Sequence, residues 1–387
     1  MNTWQANWNY PTQIRTGVGR IEELASCCEE LAMRSPLLVT DSGLVDLDIT
    51  RNALERLSAS GLKAGVFSDV RPNPTGANVA SGVACFLEGA HDGIIAFGGG
   101  SALDAGKAIA LIARQSLDLW ALEDIGDNFK RADASQIAPI VAVPTTSGTG
   151  SEVGRCAVIL DEEAELKRIL FHPKMLPGVV LLDPELTLGL PPRLTAATGM
   201  DALSHNLEAL CSPFFHPQAE GIAVEAIRRI GIHLPRAYAD GQDIESREMM
   251  LVAAMMGATA FQKGLGAMHA LAHPLGALYD AHHGALNAVL MPYVLSANRN
   301  AVDEPLSRLA RYLDLERADA SGFLEWILAL RATLEIPHTL RDLGIDDLQV
   351  ERIGLMAVAD PSAATNPIDF TAGEYTRILQ NALDGVL

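Results

Sequence analysis

The stretch GIIAFGGGSALDAGKAIALIA, residues 93–113, joins a short apolar run, three consecutive glycines and a run of helix-forming residues. Its first five residues are typical of a buried strand, and its alanine-rich end is typical of a helix. Glycine allows the sharp turn that such a connection needs. The stretch therefore predicts a strand, a glycine loop and a helix, which is the repeating unit of a parallel α/β sheet.

Similar units flank this stretch, from about residue 12 to residue 186. Strands are predicted at residues 36–40, 64–67, 93–97, 139–143 and 179–182. Residues 155–161 and 169–172 are predicted to form a hairpin, with Lys167 near its turn. The fold class expected for residues 1–188 is an α/β domain with a parallel sheet.

Beyond Pro192 the pattern is helical almost throughout. Prolines and glycines mark the change of pattern and place a domain boundary near Leu188. We expect an all-α domain over residues 189–387, with prolines separating its helical segments. These prolines are Pro213, Pro217, Pro235, Pro274, Pro292, Pro305, Pro337 and Pro361.

Composition limits the classes of partner. With 387 residues, of which 49% are hydrophobic, the chain is long enough for two domains. The net charge of −19 opposes binding to nucleic acid or to an anionic membrane. Small molecules or other protein subunits are the expected partners.

The cysteines and the apolar runs indicate the cellular compartment. The five cysteines are an odd number without metal-ligand spacing, which is typical of a reducing cytosol. The N-terminus lacks the features of a signal peptide, and the longest mostly apolar run, residues 249–261, is too short to cross a bilayer. We expect a cytoplasmic protein.

Two pairs of potential metal ligands lie in the helical half. Asp201 and His205 are four residues apart, as are His269 and His273, so on a helix each pair can reach a single point. A carboxylate with imidazoles suits Fe(II) or Zn(II) and leaves the ion Lewis-acidic. A lone histidine on an apolar helix is usually an ordinary core or surface residue, but seven of the ten histidines fall between His205 and His283. The spacing predicts a shared catalytic metal and leaves the exact ligand set open.

The helix that carries the second pair is expected to be interrupted by Pro274 and Gly276. His283 is then expected in the loop before the next helix, which is predicted to start after Gly284.

Three predicted loops follow strands, where ligands bind in open α/β sheets. Asp41 could accept hydrogen bonds from the ribose of NAD and repel the 2′-phosphate of NADP, although its Asp-Ser-Gly context is also an ordinary turn. The loop Gly98, Gly99, Gly100 and Ser101 offers close backbone approach and a helix N-terminus to a diphosphate, the alternative being a tight turn. The loop PTTSGTGSE, residues 144–152, supplies small polar groups for ligand contact.

The chain resembles the iron-dependent (group III) alcohol dehydrogenase family along essentially its whole length. The resemblance rests on GGGSALDAGKAIA, PTTSGTGSEV, DPELTLGLPPRLTAATGMDALSHNLEA and GLGAMHALAHPLGALYDAHHGALNAVLMPYVLSAN. It implies an α/β nucleotide-binding domain joined to a helical domain, an architecture like that of dehydroquinate synthase. It also suggests a homodimer or a larger assembly.

The resemblance implies roles for individual residues. The implied metal ligands are Asp201, His205, His269 and His283, and His273 is similar to a non-ligating histidine beside the nicotinamide. His282 departs from many members and is expected to be a bystander. The resemblance also implies contacts with NAD, in addition to those of Gly98 and Gly99. These contacts are Asp41, Asn73, Gly100, Ser101, Asp104, Thr145, Thr146, Thr149 and Lys167.

The expected function is a metal-dependent NAD(H) alcohol dehydrogenase or aldehyde reductase with Fe(II), or alternatively Zn(II). The cation would lower the pKa of a bound alcohol, whose carbon gives hydride to C4 of the nicotinamide, and His273 would relay the proton. A maleylacetate-reductase-like enzyme or a polyol dehydrogenase on the same fold is the alternative. A further alternative is a metal-binding subunit without catalytic activity.

Overall fold

The computed structural model describes residues 9, 10 and 12–387, and its internal contacts divide the chain into two units. One unit is Tyr10–Gly189, and the other contains Leu190–Leu387. The predicted boundary residue, Leu188, lies beside this division. Most of the N-terminal segment, which is predicted to lack a signal peptide, lies outside the described residues.

The first unit is built on a parallel sheet, which confirms the predicted fold class. Its strands are β1 (Gln13–Thr16), β2 (Pro36–Val39), β3 (Gly65–Phe67), β4 (Gly93–Gly98), β5 (Ile140–Pro144) and β8 (Val179–Leu182). Their order across the sheet is β1-β8-β5-β4-β2-β3. The strands β2, β4, β5 and β8 are buried along their whole length, which explains their continuous apolar sequences.

Strand β1 was not predicted. It has only four residues, two of them exposed, and it pairs with β8 at the edge of the sheet. An edge strand with one apolar residue has neither the alternating nor the continuous apolar pattern that identifies a strand.

The predicted hairpin is present as β6 (Cys156–Asp161) and β7 (Leu166–Phe171). Its second strand starts earlier than predicted, so that Lys167 lies inside β7 and pairs with Leu160. The helices of this unit are α1 (Leu24–Glu30), α2 (Asp48–Ala59), α3 (Gly76–Glu88) and α4 (Gly100–Ile112).

The order of the strands creates a switch point between β2 and β4. From β2 the chain goes to β3 on one side, and it then returns to the other side of β2 to form β4 and, beyond it, β5. Ligands of open parallel sheets bind at the carboxyl ends of strands at such a point.

The second unit is helical, as predicted. Its helices are α5 (Pro192–Cys211), α6 (Pro217–Ala239), α7 (Ile244–Ala260), α8 (Ala267–Tyr279), α9 (His283–Ala297), α10 (Arg299–Tyr312), α11 (Ala320–Thr333), α12 (Val350–Ala359) and α13 (Ala372–Asp384). Helix α5 packs against α6, α7 and α9, and it is buried along most of its length.

Short 3-10 helices occupy several connections in both units. They are Arg20–Glu23, Leu119–Leu122, Asn128–Arg131, Ser151–Val153, Pro173–Met175, Pro184–Thr187, Phe261–Lys263, Arg341–Leu343 and Pro361–Thr365. None of the helices in the described part of the chain is both long and apolar enough to cross a membrane.

The prediction that Pro274 and Gly276 interrupt the histidine-bearing helix is wrong. Helix α8 continues through both residues to Tyr279, and both are buried in the unit. Proline removes one backbone hydrogen bond, but tertiary packing supplies most of a helix's stability and sustains it here.

Three further prolines that were expected to separate helices also lie inside them. They are Pro235 in α6, Pro292 in α9 and Pro305 in α10. The start of α9 was also predicted too late. His282 caps this helix, since its Nδ1 accepts from the amide of Ala285, and His283 is therefore the first helical residue.

Candidate metal centre and nucleotide-binding loops

Asp201, His205 and His269 form a buried group of potential metal ligands. Each offers one donor atom, and these atoms lie within 4.8 Å of one another. The rings of His205 and His269 stack, with centroids 4.7 Å apart. The three side chains come from α5 and α8, and they are at most 5% exposed.

The donor set of this group fits a divalent ion. Burying a carboxylate with two imidazoles is costly unless a cation or hydrogen bonds compensate. One hard oxygen and two borderline nitrogens match Fe(II) or Zn(II), and they leave part of the ion's charge unneutralised. Such an ion remains a Lewis acid.

His283 lies beside this group at the first turn of α9. Its Nε2 is 3.7 Å from Asp201 Oδ1, and its ring centroid is 5.2 Å from that of His269. Gly284 permits this approach, because a Cβ there would lie 2.4 Å from the carbonyl oxygen of Ala197 on α5. The fourth residue of the predicted ligand set is therefore adjacent, and its ligand role stays a prediction.

Glu208 was missed by the sequence analysis, and it orients His269. Its carboxylate lies 2.6 Å from His269 Nδ1 and accepts hydrogen bonds from the amides of Gly266 and Met268 at 2.8 and 2.7 Å. This holds a proton on Nδ1 and leaves the Nε2 lone pair for the metal group. Burial lowers the pKa of His269, but the attraction of Glu208, together with that of Asp201 and Asp360, raises the pKa overall.

A sequence signal for Glu208 did exist. It follows His205 by three residues in the same helix, which places it on the same face as Asp201 and His205. A buried glutamate in an otherwise apolar stretch needs a partner, and the partner here is an imidazole from another helix.

Replacing Glu208 by glutamine is expected to weaken metal binding about 10- to 100-fold, because an amide no longer fixes the tautomer of His269 as a carboxylate does. Competition with a chelator measures this affinity. Glu225→Gln is the matched control, since it breaks an ion pair with Arg228 on α6 outside the metal group. Equal affinities for the Glu208 and Glu225 variants would contradict an orienting role for Glu208.

His273 lies outside the three-residue group. Its Nδ1 is 2.8 Å from Asp360 Oδ2, and its ring is nearly parallel to that of His283 with centroids 5.5 Å apart. Burial raises the pKa of Asp360, but the contact with His273, together with hydrogen bonds from Ser362, lowers the pKa overall. This partner was also missed, because Asp360 follows α12 far along the chain.

In the first unit, the glycine loop and Asp41 meet at the switch point of the sheet. Gly98 has a φ of 144°, and a Cβ there would lie 2.8 Å from Ala102 Cβ and 3.7 Å from Asp41 Oδ2. Asp41 Oδ1 accepts hydrogen bonds from the amides of Gly43 and Leu44. One carboxylate oxygen thus holds the turn, while the other lies towards the glycine loop.

The loop after β5 packs tightly on the glycine loop. A Cβ on Gly100 would lie 2.5 Å from Thr149 Cγ2, and one on Gly99 would lie 3.3 Å from Thr146 Cγ2. Gly99 is also the N-cap of α4, and no side chain caps that helix. The first amides of α4 and the positive end of its dipole are therefore suited to a phosphate.

Several predicted NAD contacts have structural partners within the unit. Asp104 pairs with Ser151 Oγ and with Lys107 Nζ, and its other oxygen accepts from the amide of Val158 at 2.9 Å. Ser101 Oγ donates to the carbonyl oxygen of Pro72. These bonds connect α4 with strand β6, with the 3-10 helix Ser151–Val153 and with the loop before α3.

The remaining predicted contacts lie in several parts of the same unit. The amide of Thr145 donates to the carbonyl oxygen of Gly98 at 2.9 Å. Asn73 is buried just before α3, and Lys167 is partly buried in β7. All of the NAD assignments stay predictions.

Known protein families match both halves of the chain. Residues 11–184 match the family model described as iron-containing alcohol dehydrogenase, and residues 195–383 match the C-terminal model of the same family. The chain is 40% identical to 4-hydroxybutyrate dehydrogenase of Cupriavidus necator, over 97% of this chain and 99% of that protein.

Two solved structures are similar throughout. The crystal structure of 1,3-propanediol oxidoreductase has a TM-score of 0.92 and 35% identity, covering 98% of this chain and 100% of that one. Sulfoacetaldehyde reductase from Bifidobacterium kashiwanohense, in complex with NAD+, has a TM-score of 0.87 and 27% identity, with 98% of each chain covered.

Proposed function

The chain belongs to the iron-containing alcohol dehydrogenase family and is an NAD-dependent oxidoreductase, and on that premise we propose that it interconverts a short primary alcohol and its aldehyde. We further propose that the substrate carries a second polar group. The relatives named above act on 4-hydroxybutyrate, 1,3-propanediol or sulfoacetaldehyde, all of which are small and polar at both ends. The observation that carries the proposed alcohol–aldehyde chemistry is the buried group of Asp201, His205 and His269.

We assign NAD binding to residues 1–188, and metal binding and catalysis to residues 189–387. The switch point between β2 and β4, and the α4 N-terminus without a side-chain cap, support a dinucleotide in the first domain. The proposed contacts are Asp41, Asn73, Gly98, Gly99, Gly100, Ser101, Asp104, Thr145, Thr146, Thr149 and Lys167.

Fe(II) is the proposed ion, with Asp201, His205, His269 and His283 as ligands. When bound, it supplies a Lewis acid that lowers the pKa of an alcohol and polarises a carbonyl group. His273 is the proposed proton carrier. Asp360 holds its Nδ1, so Nε2 is the ring atom that takes up or returns the proton.

We also propose a cytoplasmic location and a homodimer or larger assembly. The five cysteines are all free thiols, which supports a reducing compartment, and the family resemblance supports an oligomer. Light scattering of the purified protein should give at least twice the monomer mass of 41.2 kDa.

The function is tested by supplying NAD with 4-hydroxybutyrate, 1,3-propanediol or butan-1-ol, the last being the matched alcohol without a second polar group. We expect NADH absorbance to appear with the first two alcohols at a higher kcat/KM than with butan-1-ol. A chelator should remove this activity, and Fe(II) should restore it. Activity that persists after chelation would instead favour a maleylacetate-reductase-like enzyme.

Replacing Asp41 by asparagine is expected to raise the kcat/KM for NADP relative to NAD about ten-fold. The amide oxygen can still accept the turn hydrogen bonds from Gly43 and Leu44, but the charge that repels a 2′-phosphate is lost. Asp46→Asn removes an exposed charge nearby and is the control. An unchanged cofactor preference would remove Asp41 from the proposed ribose site.

A further inference from the structure

Asn287 lies among the donor atoms of the proposed metal site. It is fully buried on α9, one turn after His283. Its amide nitrogen is 2.9 Å from Asp201 Oδ1, and it is 3.2 Å from both His269 Nε2 and His283 Nε2. Three of the four proposed ligand atoms therefore surround an atom that can only donate hydrogen bonds.

The orientation of this amide depends on the surrounding acceptors. Glu208 keeps the proton of His269 on Nδ1, so Nε2 presents a lone pair to Asn287. The opposite orientation would place the amide oxygen against the carboxylate of Asp201. In the orientation found, Asn287 Oδ1 is buried and has no hydrogen-bond partner within the described part of the chain. This amide oxygen is therefore a buried, unsatisfied acceptor, whereas the amide protons are donated to the ligand atoms.

We propose that Asn287 is a placeholder for the metal ion, a role that rests on the proposed metal site. In the metal-free protein its two N–H groups are shared among Asp201 Oδ1, His269 Nε2 and His283 Nε2, so that they hold these side chains together and offset the repulsion between their lone pairs. In the tautomer with its proton on Nδ1, each imidazole has a single lone pair on Nε2, which can serve either the amide or the ion. Metal uptake must therefore break hydrogen bonds of Asn287, and those bonds lower the affinity for the ion.

The test replaces Asn287 by leucine, which keeps the approximate size and shape and removes the N–H groups. Zn(II) is the probe, and its affinity for the purified full-length protein is measured by competition with a chelator. We expect affinity to rise about ten-fold, because the ion no longer competes with the amide. The Tm of the metal-free protein should fall by a few degrees, while the Tm of the Zn(II)-loaded protein should fall less.

Asn287→Asp is the second variant. A carboxylate oxygen at this position repels Asp201 in the metal-free protein and attracts a cation, so Zn(II) affinity should rise by more than ten-fold. Asn298→Leu is the matched control, since Asn298 is a buried asparagine that pairs with Asn366. It should lower both Tm values equally and leave the affinity for Zn(II) unchanged.

Unchanged or weaker Zn(II) binding by the leucine variant would overturn the placeholder role. The same holds for an aspartate variant that binds no more tightly than the wild type. Wild-type protein is measured in parallel, because failure of wild-type protein to take up Zn(II) would contradict the metal site itself. If the wild type takes up Zn(II) and the variants bind it with the same affinity, only the role of Asn287 would be contradicted.

Discussion

His269→Ala is expected to remove the bound metal and to lower the kcat/KM for the alcohol about 1000-fold. His269 belongs to the buried group with Asp201 and His205, and its other ring nitrogen is held by Glu208. A Lewis-acidic ion contributes several kcal/mol to such a reaction, and about 1.4 kcal/mol corresponds to each factor of ten. Metal analysis and the rate of NADH formation measure the two effects.

The matched control for this prediction is His233→Ala. His233 is also a buried histidine on a helix, but its Nδ1 lies near Ser246 Oγ, outside the metal group. We expect this variant to retain both metal and activity. If the His269 variant kept a full complement of metal and wild-type turnover, the ligand assignment would be wrong.

Gly98→Ala is expected to weaken NADH binding about 10- to 100-fold. A φ of 144° is strained for any residue with a Cβ, and the added methyl would lie 2.8 Å from Ala102 Cβ in the first turn of α4. Relief of this contact requires the loop or the helix N-terminus to move. Such a movement would relieve strain of about 1–3 kcal/mol, and it would also distort the proposed phosphate site. Fluorescence titration with NADH measures the affinity.

Gly61→Ala is the control that distinguishes the effect of backbone strain from damage to the proposed phosphate site. Gly61 also has a positive φ, but a Cβ there has open space and lies in the turn after α2. It should destabilise the protein while leaving NADH affinity unchanged. Both variants should keep their metal, since the metal group belongs to the other unit. Wild-type NADH affinity in the Gly98 variant would exclude the glycine loop from cofactor binding.

The sequence predicted the α/β half well because its central strands are buried on both faces. Strands β4 and β5 appear as continuous apolar runs, and the glycines after β4 mark the loop directly. Strand β1 was missed because an edge strand of four residues needs little apolar character. The continuous helix α8 was missed because Pro274 suggests a break when packing is ignored.

The spacing of the histidines predicted helical faces but could not tell which faces meet. Asp201 and His205 share a face of α5, while His269 and His273 share a face of α8. In the structure His269 joins the first pair, whereas His273 contacts Asp360. By spacing alone, His269 and His273 are equivalent as potential metal ligands. Only the family resemblance distinguished them.

Local sequence by itself determined the alternation of strands and helices, the glycine loop, and the residue types that suit a divalent ion, because these follow from periodicity and side-chain chemistry within a few residues. Tertiary structure alone decided that Glu208 holds His269, that Asp360 holds His273, and that Asn287 lies among three ligand atoms. The contacts of Glu208 with His269, of Asp201 with Asn287 and of His273 with Asp360 join residues from 61 to 87 positions apart. Packing between helices brings such residues together, and no local pattern specifies which helix faces will pack.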